Sequence, residues 1–283
     1  MSAIDYELLD FGAGRKLERF GQYVLDRPSP AAEGARKQSP ELWAEAAARY
    51  ERTPGQGGRW HSRRPLSDNW QLDCGVFQLE LKLTDAGQLG AFPEQAANWR
   101  WIAEQVKLAG RPKVLNLFAY SGASTLAAAA AGAEVVHLDS AANVVDWARR
   151  NAAASGLAEA PIRWIIEDAL KFVERELRRG NRYDAVLLDP PAYGHGPKGQ
   201  AWKLEVDLPR LLPLCFELCG TEGKFSLLSC HTAELASAES LRDYAENLLG
   251  PLPAWRASAA TMNLASSRGG QLNGGAAVRW IRR

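Results

Sequence analysis

Val114-Leu-Asn-Leu-Phe-Ala-Tyr-Ser-Gly122 is an apolar run that closes in a glycine turn, and the alanine-rich segment Ala123 to Ala131 follows it with a helical pattern. Short apolar runs and helical patterns continue to alternate along the chain. Strands joined by helices in this way are parallel and build a doubly wound sheet. The further predicted segments are Glu134 to Leu138, Ala141 to Ala154, Ile162 to Ile166, Leu170 to Arg179, Tyr183 to Leu188, Leu204 to Leu218, Phe225 to Cys230 and Leu235 to Leu249.

The last part of the chain predicts a different kind of pairing. Two apolar runs, Ala254 to Met262 and Ala276 to Ile281, are joined by Ser266-Ser-Arg-Gly-Gly270 with no helical pattern between them. A connection of this kind suits an antiparallel hairpin. The predicted fold class is therefore α/β, with a Rossmann-like, doubly wound, mostly parallel seven-stranded sheet, an antiparallel edge hairpin and a small N-terminal extension.

The N-terminal part predicts an extension with little regular structure. Residues 1–68 hold five prolines and the Gly55-Gln-Gly-Gly58 stretch, and within them Glu41 to Arg49 predicts a helix. Alternation in Val76 to Leu83 predicts a strand that forms a β-hairpin with Leu89 to Phe92. A helix then ends at Gly110. We expect an extension, hairpin and lead-in helix over residues 1–110 and the main α/β domain over residues 111–283.

Composition and charge exclude several classes of protein. The 283 residues are 46% hydrophobic and 24% charged, which excludes disordered, collagen-like and coiled-coil chains. No apolar run reaches the length of a membrane span and the first residues include acids, so we expect a soluble cytoplasmic protein. The net charge is +1, but arginines cluster in Arg49 to Arg64 and after Pro251. The four cysteines lack the spacing of a metal site, and we predict no metal.

A glycine and then acidic residues follow four predicted strands in turn. Gly122 follows the first, Asp139 the second, Glu167-Asp168 the third and Asp189-Pro-Pro-Ala-Tyr193 the fourth. Ligands of open α/β sheets bind beyond these carboxyl ends. A single glycine serves a pyrophosphate poorly, so the pattern predicts an adenosine ligand without one, with Asp139 on the ribose and Asp168 at the adenine amino group. Each of these two acids could instead cap the following helix.

These residues resemble the motifs of class I S-adenosylmethionine-dependent methyltransferases. The similarity is greatest to the RlmI-type enzymes, which make 5-methylcytosine in 23S ribosomal RNA, and it extends over about residues 76–250. Residues 111–283 are then the S-adenosylmethionine-binding catalytic domain, and structured RNA is the expected partner. The motifs that carry the resemblance are Gly90-Ala-Phe-Pro-Glu-Gln95, Asn116 to Gly122, Asp139, Asp168, Asp189 to Tyr193, and Ser229-Cys230.

The resemblance also implies roles for single residues. The cofactor's methionine part is expected beside Gln95, Phe118, Tyr120 and Gly122, its ribose at Asp139 and its adenine at Asp168, with Asp189 and Pro190 as further contacts. Pro191 and Tyr193 are the expected substrate contacts.

Cys230 is the candidate nucleophile for methylation at carbon 5. Enzymes of the type that it resembles add a thiolate to carbon 6 of the pyrimidine, which makes carbon 5 able to attack the methyl group. Asp189 would hydrogen-bond the cytosine edge during this step. His231 follows Cys230, but neighbouring strand residues point to opposite faces, so no residue is assigned as the base. The alternative is that Cys230 is a buried, inert thiol.

Other functions remain open at this point. Asp189-Pro190-Pro191 could bind an exocyclic amino group without any cysteine, although Ala192 separates the second proline from Tyr193. The RNA-binding module that RlmI-type enzymes carry is not recognisable in residues 1–68, and residues 194–199 are unusually rich in glycine. The substrate could therefore be a protein or a small molecule, and an adenosine-binding protein without catalysis is a further alternative. The sequence leaves the oligomeric state open.

Overall fold

A computed structural model describes residues 4–53, 57–196 and 199–283. The chain divides into two units, one formed by Met1–Ala96 with Asn263–Gly274 and the other by Ala97–Met262 with Gly275–Arg283. The lead-in helix thus groups with the second unit, and the tip of the last hairpin groups with the first. The domain boundary expected at residue 110 stays a prediction. In the described part of the chain, every helix is too short or too polar to cross a membrane.

The N-terminal unit contains a regular sheet, so the expectation of an irregular extension was wrong. Its strands pair in the order β1-β2-β3-β4-β5, antiparallel except for the parallel pair β3 and β4. The helix predicted over Glu41 to Arg49 was also wrong, because Pro40–Glu45 forms a 3-10 helix and the chain then enters a strand. The strands are β1 (Tyr6–Gly12), β2 (Arg15–Phe20), β3 (Tyr23–Pro28), β4 (Ala48–Thr53) and β5 (Gly57–Ser62).

Buried charges explain why this sheet is hard to recognise from sequence. Glu18 on β2 is fully buried and contacts Arg27 at 2.7 Å, Lys16 at 3.0 Å and the Tyr6 hydroxyl at 2.9 Å. Burial raises the pKa of Glu18, but the two cations outweigh it and hold the pKa below its usual value. A charged residue that faces inward breaks the apolar and polar alternation by which strands are recognised.

The predicted β-hairpin of this unit forms with a different partner. Strand β6 (Gln71–Asp73) precedes β7 (Gln78–Glu80), and the two pair antiparallel. The expected return strand Leu89 to Phe92 is not a strand, although the Leu89 carbonyl accepts from Lys82 N at 3.1 Å. The backbone of Leu81 donates to Trp70 instead, at 2.8 Å, which extends the contact with the upstream segment.

The second unit carries the predicted doubly wound sheet. Its strands lie in the order β10-β9-β8-β11-β14-β16-β15. The strands from β10 to β14 in this order pair parallel, and β14 pairs antiparallel with β16. The predicted fold class is confirmed. The elements are α1 (Ala96–Ala109), β8 (Lys113–Leu117), α2 (Ala123–Ala130), β9 (Glu134–Asp139), α3 (Ala142–Ala154), β10 (Ile162–Ile166), α4 (Ala169–Arg178), β11 (Ala185–Leu188), β12 (Tyr193–His195), β13 (Ala201–Lys203), α5 (Leu204–Cys219), β14 (Phe225–Cys230), α6 (Ala238–Leu249), β15 (Trp255–Ala265) and β16 (Gln271–Arg282).

Two apolar clusters cover the two faces of this sheet. On one face, Leu187 and Leu227 pack with Ile102 and Val106 of helix α1. On the other face, the neighbouring strand residues Leu188 and Leu228 pack with residues of helices α4, α5 and α6. Because side chains alternate along a strand, adjacent residues at the strand ends are directed to different faces.

The segment after Pro191 forms a short hairpin that the sequence did not predict. Strands β12 and β13 pair antiparallel, with Tyr193 opposite Lys203 and His195 opposite Ala201. Glycines dominate this stretch and obscure any alternation, so the sequence indicated only a loop.

His137 on β9 makes the stability of this fold depend on pH. The ring is fully buried, its Nδ1 lies 2.9 Å from Thr125 Oγ1, and burial lowers its pKa to about 3, with a smaller contribution from Arg149. The pKa of this histidine in the unfolded chain is about 6.5. Above that pH it does not lower the free energy of unfolding, and below it the free energy of unfolding falls by roughly 1.4 kcal/mol per pH unit until the pH approaches 3. We expect this group alone to remove about 2 kcal/mol between pH 7 and pH 5.

Urea unfolding at both pH values checks this prediction, with His137→Gln as the comparison. The variant keeps an amide that can contact Thr125 but has no group that titrates. Equal pH slopes in the two proteins would mean that His137 does not contribute.

Candidate active site

The loop after β8 has an unusual backbone. Phe118 and Tyr120 have φ angles of 55° and 48°, which L-residues seldom adopt, and Gly122 has a φ of 94°. Left-handed conformations of non-glycine residues cost about 1–2 kcal/mol each and persist where surrounding structure enforces them, often at ligand sites. A Cβ atom on Gly122 would lie 3.1 Å from the Cβ of Ala148, so only glycine suits this position.

Asp139 fixes this loop from the neighbouring strand. Its Oδ2 accepts from Tyr120 N at 2.9 Å, and its Oδ1 accepts from Ala141 N at 3.1 Å. Burial raises the pKa of this carboxyl above its usual value, and the backbone donors offset part of the effect. A carboxylate has about four acceptor positions, so a ribose hydroxyl can still donate to Asp139 beside its backbone donors. Asp139 is therefore an anchor of the loop and is suited to hold a ribose.

Asp168 caps the helix that follows it, as one of the two sequence interpretations allowed. Its Oδ1 accepts from Lys171 N at 3.0 Å, which satisfies a free N–H group in the first turn of α4. The neighbouring Glu167 forms an ion pair with Arg175. The role of Asp168 at an adenine stays a prediction.

Several of the predicted cofactor residues line one small cavity. Its volume is about 40 Å³, and it lies beyond the carboxyl ends of β8, β9, β10 and β11. The strand-end location is the one in which doubly wound folds bind ligands. The lining residues are Phe118, Leu138, Asp139, Ser140, Glu167, Asp168, Ala169, Pro191, Gly194, His195, Gly196 and Trp202.

The hairpin of β12 and β13 supplies one wall of this cavity. Trp202 donates from its indole Nε1 to the Pro191 carbonyl at 2.8 Å, and its ring centroid lies 4.6 Å from that of Phe118. The Ser140 hydroxyl donates to the His195 carbonyl at 2.9 Å. Sequence reasoning missed Trp202. The available signal was a large aromatic residue, flanked by Ala201 and Lys203, just after the glycine-rich stretch.

Asp189 directly follows β11 and contacts Ser229, near the end of the neighbouring strand β14, and His231, just after that strand. Its Oδ1 is 2.6 Å from the Ser229 hydroxyl and 3.2 Å from His231 Nε2. The carboxylate is about one third exposed, so it can still reach a ligand. His231, which strand alternation disfavours as the base beside Cys230, contacts Asp189.

Cys230 lies between these two residues in sequence but faces the other way. Its side chain is completely buried and belongs to the apolar cluster that α5 and α6 cover. The Sγ atom lies 3.4 Å from Thr232 Oγ1. Alternation along β14 directs Ser229 and Cys230 to opposite faces of the sheet. The contacts at Asp189 thus come from Ser229 and His231, and the nucleophilic role of Cys230 stays a prediction.

The remaining predicted site residues differ in their environment. Pro190 is buried, Pro191 is exposed, and Tyr193 is 55% exposed with its ring edge against His195. Gln95 is buried at the end of a 3-10 helix in the N-terminal unit. Their roles stay predictions. Lys198, in the glycine-rich stretch, lies outside the described residues. No group of three or more His, Cys, Asp or Glu side chains in the described ranges could hold a metal ion.

These features fit S-adenosylmethionine. Phe118, Tyr120 and Gly122 hold the loop in a left-handed backbone conformation, Asp139 anchors this loop, and aromatic and acidic side chains line the cavity. A dinucleotide would need a phosphate-binding glycine series that this loop lacks.

Comparison with known proteins identifies the family. The family model of S-adenosylmethionine-dependent methyltransferases matches residues 24–245. The crystal structure of a methyltransferase of this kind from Agrobacterium tumefaciens is similar, with 35% identity, a TM-score of 0.91, and coverage of 99% of this chain and 91% of that chain.

Two curated relatives share a shorter segment. The ribosomal RNA large subunit methyltransferase K/L of Cellvibrio japonicus is 30% identical over 138 residues, which are 48% of this chain and 18% of that protein. The ribosomal RNA large subunit methyltransferase I of Aeromonas hydrophila is 31% identical over 119 residues, 42% of this chain and 30% of that protein. The similarity thus spans less than a third of either relative. From the site geometry and the match over residues 24–245, the chain belongs to the S-adenosylmethionine-dependent methyltransferase family, and its cofactor is S-adenosylmethionine.

Proposed function

We propose that this chain transfers a methyl group from S-adenosylmethionine to a base of large-subunit ribosomal RNA. The observation that carries the proposal is Asp189-Pro190-Pro191, which ends β11 beside the cofactor cavity with a partly exposed, oriented carboxylate. A carboxylate at this place can accept a hydrogen bond from the amino edge of a base. The names of the two curated relatives support RNA as the substrate.

Different residues contact the cofactor and the target base. The loop from Phe118 to Gly122 and Asp139 hold the cofactor, and Asp168 lies at its adenine end. Pro191 and the exposed ring of Tyr193 contact the target base, since an aromatic face can stack on any base. When bound, S-adenosylmethionine supplies an electrophilic methyl group on its sulfonium sulfur.

Two target atoms are compatible with this arrangement. Methylation at carbon 5 of cytosine needs the Cys230 thiolate, whereas methylation of an exocyclic amino group needs Asp189 and no thiol. The complete burial of Cys230 and the contacts of Asp189 with Ser229 and His231 favour the second chemistry. In that reaction Asp189 would accept a hydrogen bond from the amino group and so orient its nitrogen, and the proton that this nitrogen loses would pass to solvent at the partly exposed carboxylate.

Mass spectrometry of nucleosides tests the function directly. Ribosomal RNA from cells that lack the gene is compared with RNA from the parent cells, and the missing methylated nucleoside identifies both the base and the atom. Purified protein should restore that nucleoside in RNA from the deficient cells. Unchanged nucleosides together with methylation of a protein or small molecule would overturn the proposal.

RNA binding should depend on arginines of strands β4 and β5 and of the residue that follows β5. Arg52, Arg59 and Arg63 are exposed, whereas Arg49 contacts the carboxylates of Asp26 and Glu51. Each phosphate that an arginine neutralises releases counterions, so RNA affinity should fall steeply as salt rises. We expect the variant with Arg52, Arg59 and Arg63 all changed to Gln to reduce the slope of log affinity against log salt by roughly 2–3.

Filter-binding titrations at several salt concentrations measure this slope. The matched control changes Arg178, Arg179 and Arg182 to Gln, three exposed arginines of the second unit. An equal loss in both variants would show a general charge effect, and no loss in the first variant would exclude these arginines as the contact surface.

A further inference from the structure

Strand β14 and the residue that follows it direct two polar side chains, Ser229 and His231, at Asp189, and the Cys230 thiol away from it. The parallel register of β11 and β14 places Leu188 beside Leu228, so Asp189 follows at the level of Ser229. Ser229 and His231 are two residues apart and therefore lie on the same side of the chain, opposite to Cys230. The two contacts to Asp189 follow directly from this register.

The chemistry of the acceptor defines the direction of both hydrogen bonds. An ionised carboxylate can only accept, so the Ser229 hydroxyl and His231 Nε2 both donate to Oδ1 of Asp189. The hydroxyl has one hydrogen, and the 2.6 Å contact to Oδ1 prevails over the 3.4 Å contact to the Leu188 carbonyl. Ser229 is itself almost fully buried, so solvent does not compete for this hydrogen.

We infer that Ser229 and His231 are positioning residues for methyl transfer, which they support by orienting the Asp189 carboxylate. This inference rests on the proposed function, in which Asp189 contacts the target base. Two donors on one oxygen fix the torsion of the carboxylate and direct it toward the base. Because His231 Nε2 carries a proton in this contact, that nitrogen does not take up the proton that the base loses.

Four variants test the inference in a methyl-transfer assay with ribosomal RNA from deficient cells. Ser229→Ala and His231→Leu each remove a donor to a charged acceptor, and kcat should fall by about 10- to 100-fold. His231→Gln and Ser229→Thr keep a donor, and they should recover most of the activity. The affinity for S-adenosylmethionine, measured by calorimetry, should stay within about threefold in all four, and KM for RNA should change less than kcat.

Ser226→Ala is the matched control, since Ser226 is a buried serine on the same strand whose hydroxyl lies 3.8 Å from the Cys219 sulfur, away from Asp189. Its melting temperature and activity show what loss of a buried hydroxyl does by itself. Wild-type kcat in Ser229→Ala and His231→Leu would overturn the inference. Equal losses in the conservative and the non-conservative variants would overturn it as well. An inactive wild-type enzyme would instead contradict the proposed function.

Discussion

Asp189→Ala is expected to lower the rate of methyl transfer by about 10²- to 10⁴-fold, the range that a positioned acid or base contributes to an enzymatic step. The Asp189 carboxylate accepts from Ser229 and His231, and about one third of its side chain remains exposed to a ligand. The Ala variant leaves the amino edge of the target base without its acceptor. Single-turnover assays with excess enzyme measure the rate, and Asp243→Ala, an exposed acid on α6, is the control.

Variants of Cys230 separate the two target atoms in the same assay. If the target is an amino group, Cys230→Ala should retain activity within several-fold of wild type, with a loss of stability from the cavity in the α5 and α6 cluster. The wild-type enzyme should then form no covalent adduct with RNA that contains 5-fluorocytosine. An inactive Cys230→Ala variant together with such an adduct would establish thiolate addition at carbon 6.

Asp139→Ala is expected to weaken the binding of S-adenosylmethionine by about 100-fold. Two effects combine, because the ribose loses a charged acceptor and the loop loses the bond from Tyr120 N. Hydrogen bonds to charged groups contribute about 1.5–3 kcal/mol, and the left-handed residues Phe118 and Tyr120 need external support to keep their conformation.

Calorimetry with S-adenosylmethionine and S-adenosylhomocysteine measures this effect. Asp146→Ala is the control, since Asp146 is an exposed acid on α3 that contacts Arg149. An affinity of Asp139→Ala equal to that of wild type would show that the ribose binds elsewhere. NAD should bind to neither protein.

Local patterns along the chain were enough to predict the doubly wound sheet. The strands β8, β9, β10 and β11 are short apolar runs that alternate with helices, and this arrangement permits few topologies. Ligands of such sheets bind at the strand ends, so the sequence alone was enough to propose Gly122, Asp139 and Asp189 as candidate site residues. The antiparallel hairpin at the edge could be predicted because no helix separates its two runs.

The N-terminal sheet could not be predicted, because its strands contain buried charged residues whose partners come into contact only in the folded protein. Glu18 contacts Arg27 and Lys16, and Asp10 accepts from Trp43 Nε1 at 2.8 Å. In the sequence these residues look like solvent-exposed polar positions, and their partners lie as far as 33 residues away. Propensity and periodicity are local quantities and contain no information about such pairs.

The sequence by itself determined the fold class, the protein family with its cofactor, and which residues follow each strand. Each of these depends on residues that are close together along the chain. Only the tertiary structure decided which side chains meet. Ser229, Cys230 and His231 are consecutive, yet Ser229 and His231 contact Asp189 while Cys230 is buried among apolar residues. The physical reason is that neighbouring strand residues face opposite sides of the sheet, and the pairing of β14 with β11 determines which of them lie beside Asp189.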